Sequence, residues 1–273
     1  MFSYQQVNAA DTANITLTST GISYTLSVSA TGSIEPYGTI NKIYADGVLS
    51  LCIDPLVYYG SGTHQQSILA NELTANQKDK IKLIDYYAKL MGSETNNKLY
   101  ATEQLYAWEV ITGRTVTSLS NGLTLSEYKS YKAQIDSSIA NHSKRPSFNG
   151  SNFTLEVGET KTFTDTNGIL SKFVYSSSDS SVASVSQSGN TLTITSKKEG
   201  KVTLRAQLVN DKYVGTSLVY KKSGYQTKAS FKLDDPGQSI VTVTNEISKG
   251  SLELGKQDTS GKWISGTKFN LST

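Results

Sequence analysis

Cys52 is the only cysteine in the chain, and it stands between Leu51 and Ile53 in the stretch ADGVLSLCIDP, residues 45–55. A lone thiol has three uses. Among apolar neighbours it is a small buried hydrophobe, the commonest fate of such a residue. Next to a base it is a nucleophile. It can also be consumed in a crosslink. A single cysteine excludes an internal disulfide and a multi-cysteine metal site. The histidines are His64, in YYGSGTHQQS, and His142, near the end of a helical stretch. Two histidines are too few for ordinary zinc chemistry, and neither carries a recognisable cysteine-hydrolase context.

The elements around Cys52 follow from pattern and turn chemistry. Residues 39–53 predict a hairpin, because Asp46-Gly47 is a type I′ turn signal and Val48, Leu49, Leu51 and Ile53 follow it. Cys52 then lies late in a strand that Asp54-Pro55 ends, since proline has no N–H to give. Residues 14–34 alternate apolar and polar as strands, punctuated by Gly21 and Gly32. Residues 71–146 change character. Thr74 and Gln77 form a capping box ahead of Ile81, Ile84, Tyr87 and Met91 at helical spacing, with Gly92 as the stop. A second helix is predicted over 100–112, stopped by Gly113, and a third over 125–141, closed by Pro146. From residue 148 to 247 short strands and polar turns return, with the spacing of a sandwich or barrel. The expected fold is α+β, a mainly antiparallel β-sandwich or barrel with an inserted helical subdomain. It comprises β-rich segments 1–70 and 148–247, helices in 71–146, and a separate pattern in 248–273.

Composition narrows the function classes. The chain has 273 residues, 37% hydrophobic and 18% charged, with a net charge of +3. Its lysines come in short pairs such as Lys197-Lys198 and Lys221-Lys222, which read as exposed strand ends rather than a nucleic-acid surface. No segment has the apolar length of a membrane span, and no signal peptide is recognisable at the start. The expectation is no nucleic acid, no membrane insertion, no cofactor and a monomer.

Three stretches in fixed order carry a resemblance. IYADGVLSLCIDP holds Leu51, Cys52, Ile53 and Asp54; ATEQLYAWEVITG holds Glu103, Gln104, Leu105, Tyr106, Ala107 and Trp108; LVYKKSGYQTKASF holds Tyr225, Gln226, Thr227, Lys228 and Ala229. Together they resemble the thioester domains of Gram-positive surface adhesins, over roughly residues 35–245. That family reads its second motif as Thr-Gln-x-Ala-apolar-Trp. Gln104 and Trp108 match it, while Glu103 and Tyr106 depart. The resemblance implies a bond between the Cys52 thiol and the Gln226 side chain, formed with loss of ammonia. It then implies attack by a primary amine, such as a lysine of a host surface or matrix protein. Gln238, in DDPGQSIVTV, and Gln207, in KVTLRAQLVN, are the rival glutamines. Leu51, Ile53, Trp108 and Tyr106 are expected to shelter the bond, and Gln104 or backbone N–H groups to face a developing oxyanion. Asp54 reads as a strand-end turn residue or a proton acceptor for the thiol. A single-use acyl group does not turn over, so the resemblance implies no enzyme. It also implies a secreted protein held in the cell wall by an anchor outside these residues.

The last stretch, GSLELGKQDTSGKWISGTKFNLST, resembles the opening of the collagen-adhesin B-type repeats that carry isopeptide bonds. Lys256 falls at the position of the bonding lysine, and strands are predicted over Leu252–Lys256 and Lys268–Leu271. Asn270 stands where that family often has glutamate. No isopeptide bond is claimed within these residues.

Overall fold

The computed structural model describes residues 11–27, 37–55, 57–208, 211–234, 237–247, 255–266 and 268. Six strands close a ring. β1 (Thr12–Leu26) pairs with β2 (Tyr37–Ala45), and β2 with β3 (Val48–Cys52). β3 then pairs with β13 (Lys228–Ser230), β13 with β12 (Leu218–Lys221), and β12 with β4 (Gly62–Ile68), which returns to β1. Every pairing in the ring is antiparallel. Closure removes the exposed edges that an open sheet of this size would present. β1 can serve two neighbours on one side because it bends. Thr12–Ile15 pair with β4, and Ser23–Leu26 pair with β5 (Val116–Ser120). The bend is a register shift between Ser19 and Ser23, where Gly21 has φ 75°. Gly21 was expected to separate two strands; instead it bulges one continuous strand, which a residue without Cβ does at little cost. Ile15, Leu26, Ile40, Ile43, Leu51, Val219 and Ala229 fill this core.

The hairpin turn is as the sequence predicts. Asp46 and Gly47 have φ 46° and 81°, both positive as type I′ requires. The helical insert has α1 (Ala75–Leu90), α2 (Asn97–Thr112) and α3 (Leu125–Ala140). Thr74 and Gln77 form the capping box at α1, and Thr124 and Glu127 form another at α3. α2 starts at Asn97, earlier than the predicted residue 100, because the Asn96 side chain accepts from the N–H groups of Lys98 and Leu99. Gly113 ends α2 in the left-handed conformation. α3 stops at Ala140 with Asn141 as its cap, before Pro146 acts. α2 lies directly on the barrel, and α1 and α3 pack on its outer side around Ile84, Tyr86, Tyr106 and Ile135. None of the described helices is long and apolar enough to cross a membrane.

A second core lies between two smaller sheets. One has the order β6 (Asn152–Glu156), β14 (Gln238–Glu246), β11 (Gly200–Leu208), β8 (Phe173–Ser177). The other has the order β7 (Thr160–Thr164), β10 (Thr191–Ser196), β9 (Ala183–Ser188). Leu155, Phe173, Leu192, Ile194, Leu204 and Val241 pack between them. Sandwich and barrel are therefore both present, as separate sheets. The chain leaves the sandwich after β11, lays β12 and β13 into the barrel, and returns to the sandwich with β14. Residues 252–254 and 269–271, which hold most of the two strands expected in the last stretch, lie outside the described residues, as does Asn270. Lys256 is exposed, near an isolated bridge between Gln257 and Trp263.

Candidate functional site

Cys52 ends β3 and is fully buried. At Ser50 the two strands of the hairpin stop bonding to each other, and α2 takes over. The Ile43 N–H donates to the Tyr100 hydroxyl (3.2 Å), which donates to the Ser50 carbonyl (2.9 Å). One turn on, Gln104 Oε1 accepts from the Cys52 N–H (2.8 Å), and its Nε2 donates to the Cys52 carbonyl (2.9 Å). One turn further, the Trp108 indole N–H donates to the same carbonyl (2.9 Å). Spacing by four puts these three side chains in one row on the helix. They supply to β3 the partners that β2 no longer offers. The amide of Gln104 is thus engaged at both ends by the Cys52 main chain. It positions the cysteine through its Oε1 and one N–H of Nε2. The Trp108 ring also packs against Tyr24, with centroids 5.2 Å apart.

The other side of β3 is β13. Lys228 stands opposite Cys52 and Ala229 opposite Leu51. The Ile53 N–H donates to the Thr227 carbonyl (3.0 Å), which extends the ladder by one step. Alternation then puts Gln226 on the same face as Lys228, as a diagonal neighbour of Cys52, and such neighbours lie about 7–8 Å apart, within side-chain reach. Gln226 is 2% exposed. Its N–H donates to the Tyr58 carbonyl (2.9 Å), and its carbonyl accepts from Lys228 Nζ (2.8 Å). Its side-chain Oε1 is buried with no hydrogen-bond partner among the described residues. Leaving such an oxygen unpaired costs about 1–3 kcal/mol. The rival glutamines stand elsewhere: Gln207 and Gln238 face each other across β11 and β14 in the sandwich. Of these three glutamines, the fold brings only Gln226 to the sheet that holds Cys52.

A short loop meets the segment that carries Gln226. The Tyr225 ring lies against Gly60, where an added Cβ would stand 1.9 Å from the ring. Lys222 Nζ is 4.8 Å from the centroid of that ring and donates to the Ser61 carbonyl (3.3 Å). Residues 58–61 and 222–226 are thereby clasped to each other. Tyr59 is half-buried beside them, its hydroxyl without a hydrogen-bond partner among the described residues and its ionisation pushed far up by burial.

Burial pushes the Cys52 thiol up to about 12, against the pull of the Asp54 N–H (3.3 Å from Sγ), the Trp108 indole and Lys228. Cys52 therefore keeps its proton at neutral pH. Neither imidazole serves it directly. His64 Nε2 lies 3.1 Å from Lys228 Nζ, and His142 Nδ1 lies 2.9 Å from the Tyr87 hydroxyl. Asp54 meets the thiol through its backbone N–H. Tyr106 corrects an expectation: it does not shelter Cys52. Two residues after Gln104 on a helix, it points to the opposite side, where its hydroxyl donates to Asp136 and Lys132 Nζ stands 4.4 Å from its ring centroid.

Sequence reasoning missed Lys228, Tyr100 and Gly60 as site residues. Lys228 was findable, because it follows Gln226 at the spacing of a strand face. Tyr100 precedes Gln104 by one helical turn. Nothing local marks Gly60.

Residues 147–217, from just before β6 through β11 to the approach of β12, match the family described as Bacterial Ig-like domain (group 2). No curated protein matches the chain. Among solved structures, it is similar to the thioester domain of the Staphylococcus aureus TIE protein, with a TM-score of 0.73 and 23% identity. That alignment covers 87% of this chain and 100% of the other. The two share a fold.

Proposed function

We propose that this chain is a surface adhesin domain in which Cys52 and Gln226 form an internal thioester that acylates a primary amine, such as a lysine side chain, on a host surface molecule. One observation carries the reading: a buried thiol on β3 and, two residues before its partner Lys228 on β13, a buried glutamine whose side-chain oxygen has no hydrogen-bond partner among the described residues, in a fold shared with a thioester domain. The thiol would displace the amide nitrogen as ammonia. The amine would later displace the thiol and leave a stable amide on the former glutamine. Proximity substitutes for an external catalyst, since the backbones of both residues are held by strand, helix and loop. Burial of Cys52 and Gln226 keeps water from the acyl carbon. A secreted, wall-attached location and a host partner belong to this same reading, as does the treatment of residues 248–273 as the opening of a further module.

Intact-mass measurement tests it. The fresh protein should be lighter than its sequence by one ammonia, with Cys52 silent to thiol reagents. Methylamine should add its full mass and release the thiol. Cys52→Ala should restore the full sequence mass. Mass and thiol must be read together, because an amide from Lys228 to Gln226 would lose the same ammonia and leave the thiol free. Full sequence mass with a titratable Cys52 in fresh wild-type protein would reduce Cys52 to a buried structural thiol in a non-covalent surface module.

A further inference from the structure

We propose that Lys228, held by His64, is the proton carrier of the Cys52–Gln226 pair: its neutral amine takes the proton of the attacking group and returns it to the leaving group. This rests on the thioester reading above. Lys228 is one of the largest fully buried side chains in the protein. No ion pair among the described residues includes it. A buried ammonium without a carboxylate is costly, so such lysines give up their proton easily. Burial lowers Lys228 to about 8, helped by the charge of Lys222.

The partners of Nζ define its free position. His64 Nδ1 lies 2.9 Å from the Gly62 carbonyl, which only accepts. The imidazole proton therefore sits on Nδ1, and Nε2 is the acceptor for Lys228. Burial also holds His64 below its ordinary value, so the ring stays neutral. A neutral lysine has two N–H bonds and one lone pair. The N–H bonds are used by His64 Nε2 (3.1 Å) and the Gln226 carbonyl (2.8 Å). The remaining position holds the lone pair, or the third proton, on a side chain that shares its sheet face with Cys52 and Gln226.

The chemistry balances without another reactant. In formation, Nζ takes the S–H proton as sulfur bonds to the Gln226 side-chain carbon and the C=O pair moves onto Oε1. When the C=O re-forms, the C–N bond breaks, and the departing nitrogen takes the proton back from Nζ and leaves as ammonia. Because proton transfer accompanies S–C bond formation, a thiol near 12 need not ionise first. In aminolysis, Nζ takes a proton from the attacking amine and gives it to the departing sulfur.

The test uses Lys228→Met and the pH dependence of opening. Lys228→Met keeps the length and removes the base. We expect folded protein, checked by circular dichroism, with full sequence mass and a reactive Cys52, formation being slowed about 10²–10⁴-fold. For wild type, hydroxylamine is the probe, since it is already unprotonated at neutral pH. Its opening rate should rise with pH and level off at about 8, where Lys228 loses its proton. The other groups around Nζ do not imitate that inflection: Cys52 is acylated, His64 titrates on the acid side, and burial raises Tyr24 to about 12 and Tyr59 further. The charge of Lys222 acts on Nζ directly, and Asp54 acts on the thiol. Lys222→Gln should move the inflection upward, since it removes a positive neighbour. Lys228→Met with complete ammonia loss and a wild-type opening profile would remove Lys228 from the reaction and leave the thioester standing. A wild-type rate without an inflection between about pH 6.5 and 9.5 would do the same even if Lys228→Met fails to fold. Full mass in wild type would remove both. His64→Leu should slow formation and His64→Gln, with an acceptor oxygen, should retain part of it; equal rates would remove His64 from the relay.

Discussion

At the scale of single residues, the side chain of Cys52 is left free by fixing everything around it. Its N–H and carbonyl are held by Gln104 and Trp108, and the next N–H but one rests on its sulfur. Reaction between two side chains needs their backbones at constant separation, because small displacements are costly in rate. Gln104→Ala should therefore do two things. It leaves the buried Cys52 N–H unpaired, which costs about 1–3 kcal/mol, visible as a lower denaturant midpoint. It also loosens the thiol, so the share of protein lacking one ammonia should fall. Unchanged mass loss in a destabilised Gln104→Ala protein would separate the two roles and leave Gln104 purely structural.

At the scale of elements, α2 works on two sides. One row meets β3, and another meets α1, where Glu103 is buried beside Asp85. Asp85 pairs with Lys89 at 2.8 Å, and the Glu103 carboxyl lies against Asp85 and Ser93. Burial first, and then the charge of Asp85, push Glu103 well above the usual carboxylate range. A carboxyl raised in the folded state favours folding most below its unfolded value, about 4.3, and that favour is lost as pH rises toward the folded value. Glu103→Gln removes this loss. Its melting temperature should exceed wild type at pH about 7, and the gap should close as pH falls toward about 4. A constant gap across that range would mean that the effect is packing rather than ionisation. The position is also where the thioester-domain motif has threonine, so the departure from the motif is a local matter of how α1 and α2 pack.

At the scale of the molecule, the two β cores are distinct, yet the chain passes between them twice after β11. β12 and β13 carry Gln226 and Lys228 into the barrel, and β14 then takes a central place in the sandwich sheet. The Ig-like segment is thus an insertion whose last strand arrives late. Because Leu204 lies in the sandwich core and Cys52 in the barrel core, damage to one should be weakly felt by the other. Leu204→Ala should cost the sandwich about 2–5 kcal/mol and lower its unfolding transition, while ammonia loss stays at the wild-type level. A parallel fall in ammonia loss would show that the sandwich holds β12 and β13 in place.

Local chemistry is legible wherever neighbours in sequence decide the outcome. The Asp46-Gly47 turn, the Thr74 and Thr124 caps, the Gly113 stop and the strand end at Asp54-Pro55 all depend on dihedral preferences or on hydrogen bonds a few residues long. The grouping of Cys52, Gln104, Trp108 and Gln226 was legible only through the resemblance of three stretches, since nothing in their spacing measures distance in space. Three matters waited for the tertiary structure. Tyr106 and Gln104 share a motif but face opposite sides of α2, which the whole packing of α1 and α3 decides. Gln238 follows Gly237, where the motif has an apolar residue, and lies beside a Pro-Gly turn, which favours Gln226; but only strand pairing sends Gln238 to the sandwich and the Gln226 segment to the barrel. Lys228 reads as an ordinary strand lysine until pairing sets it opposite Cys52 and β4 brings His64 to its amine. Charge and proton affinity there come from burial without a counter-ion, a property of the closed barrel and not of any stretch of sequence.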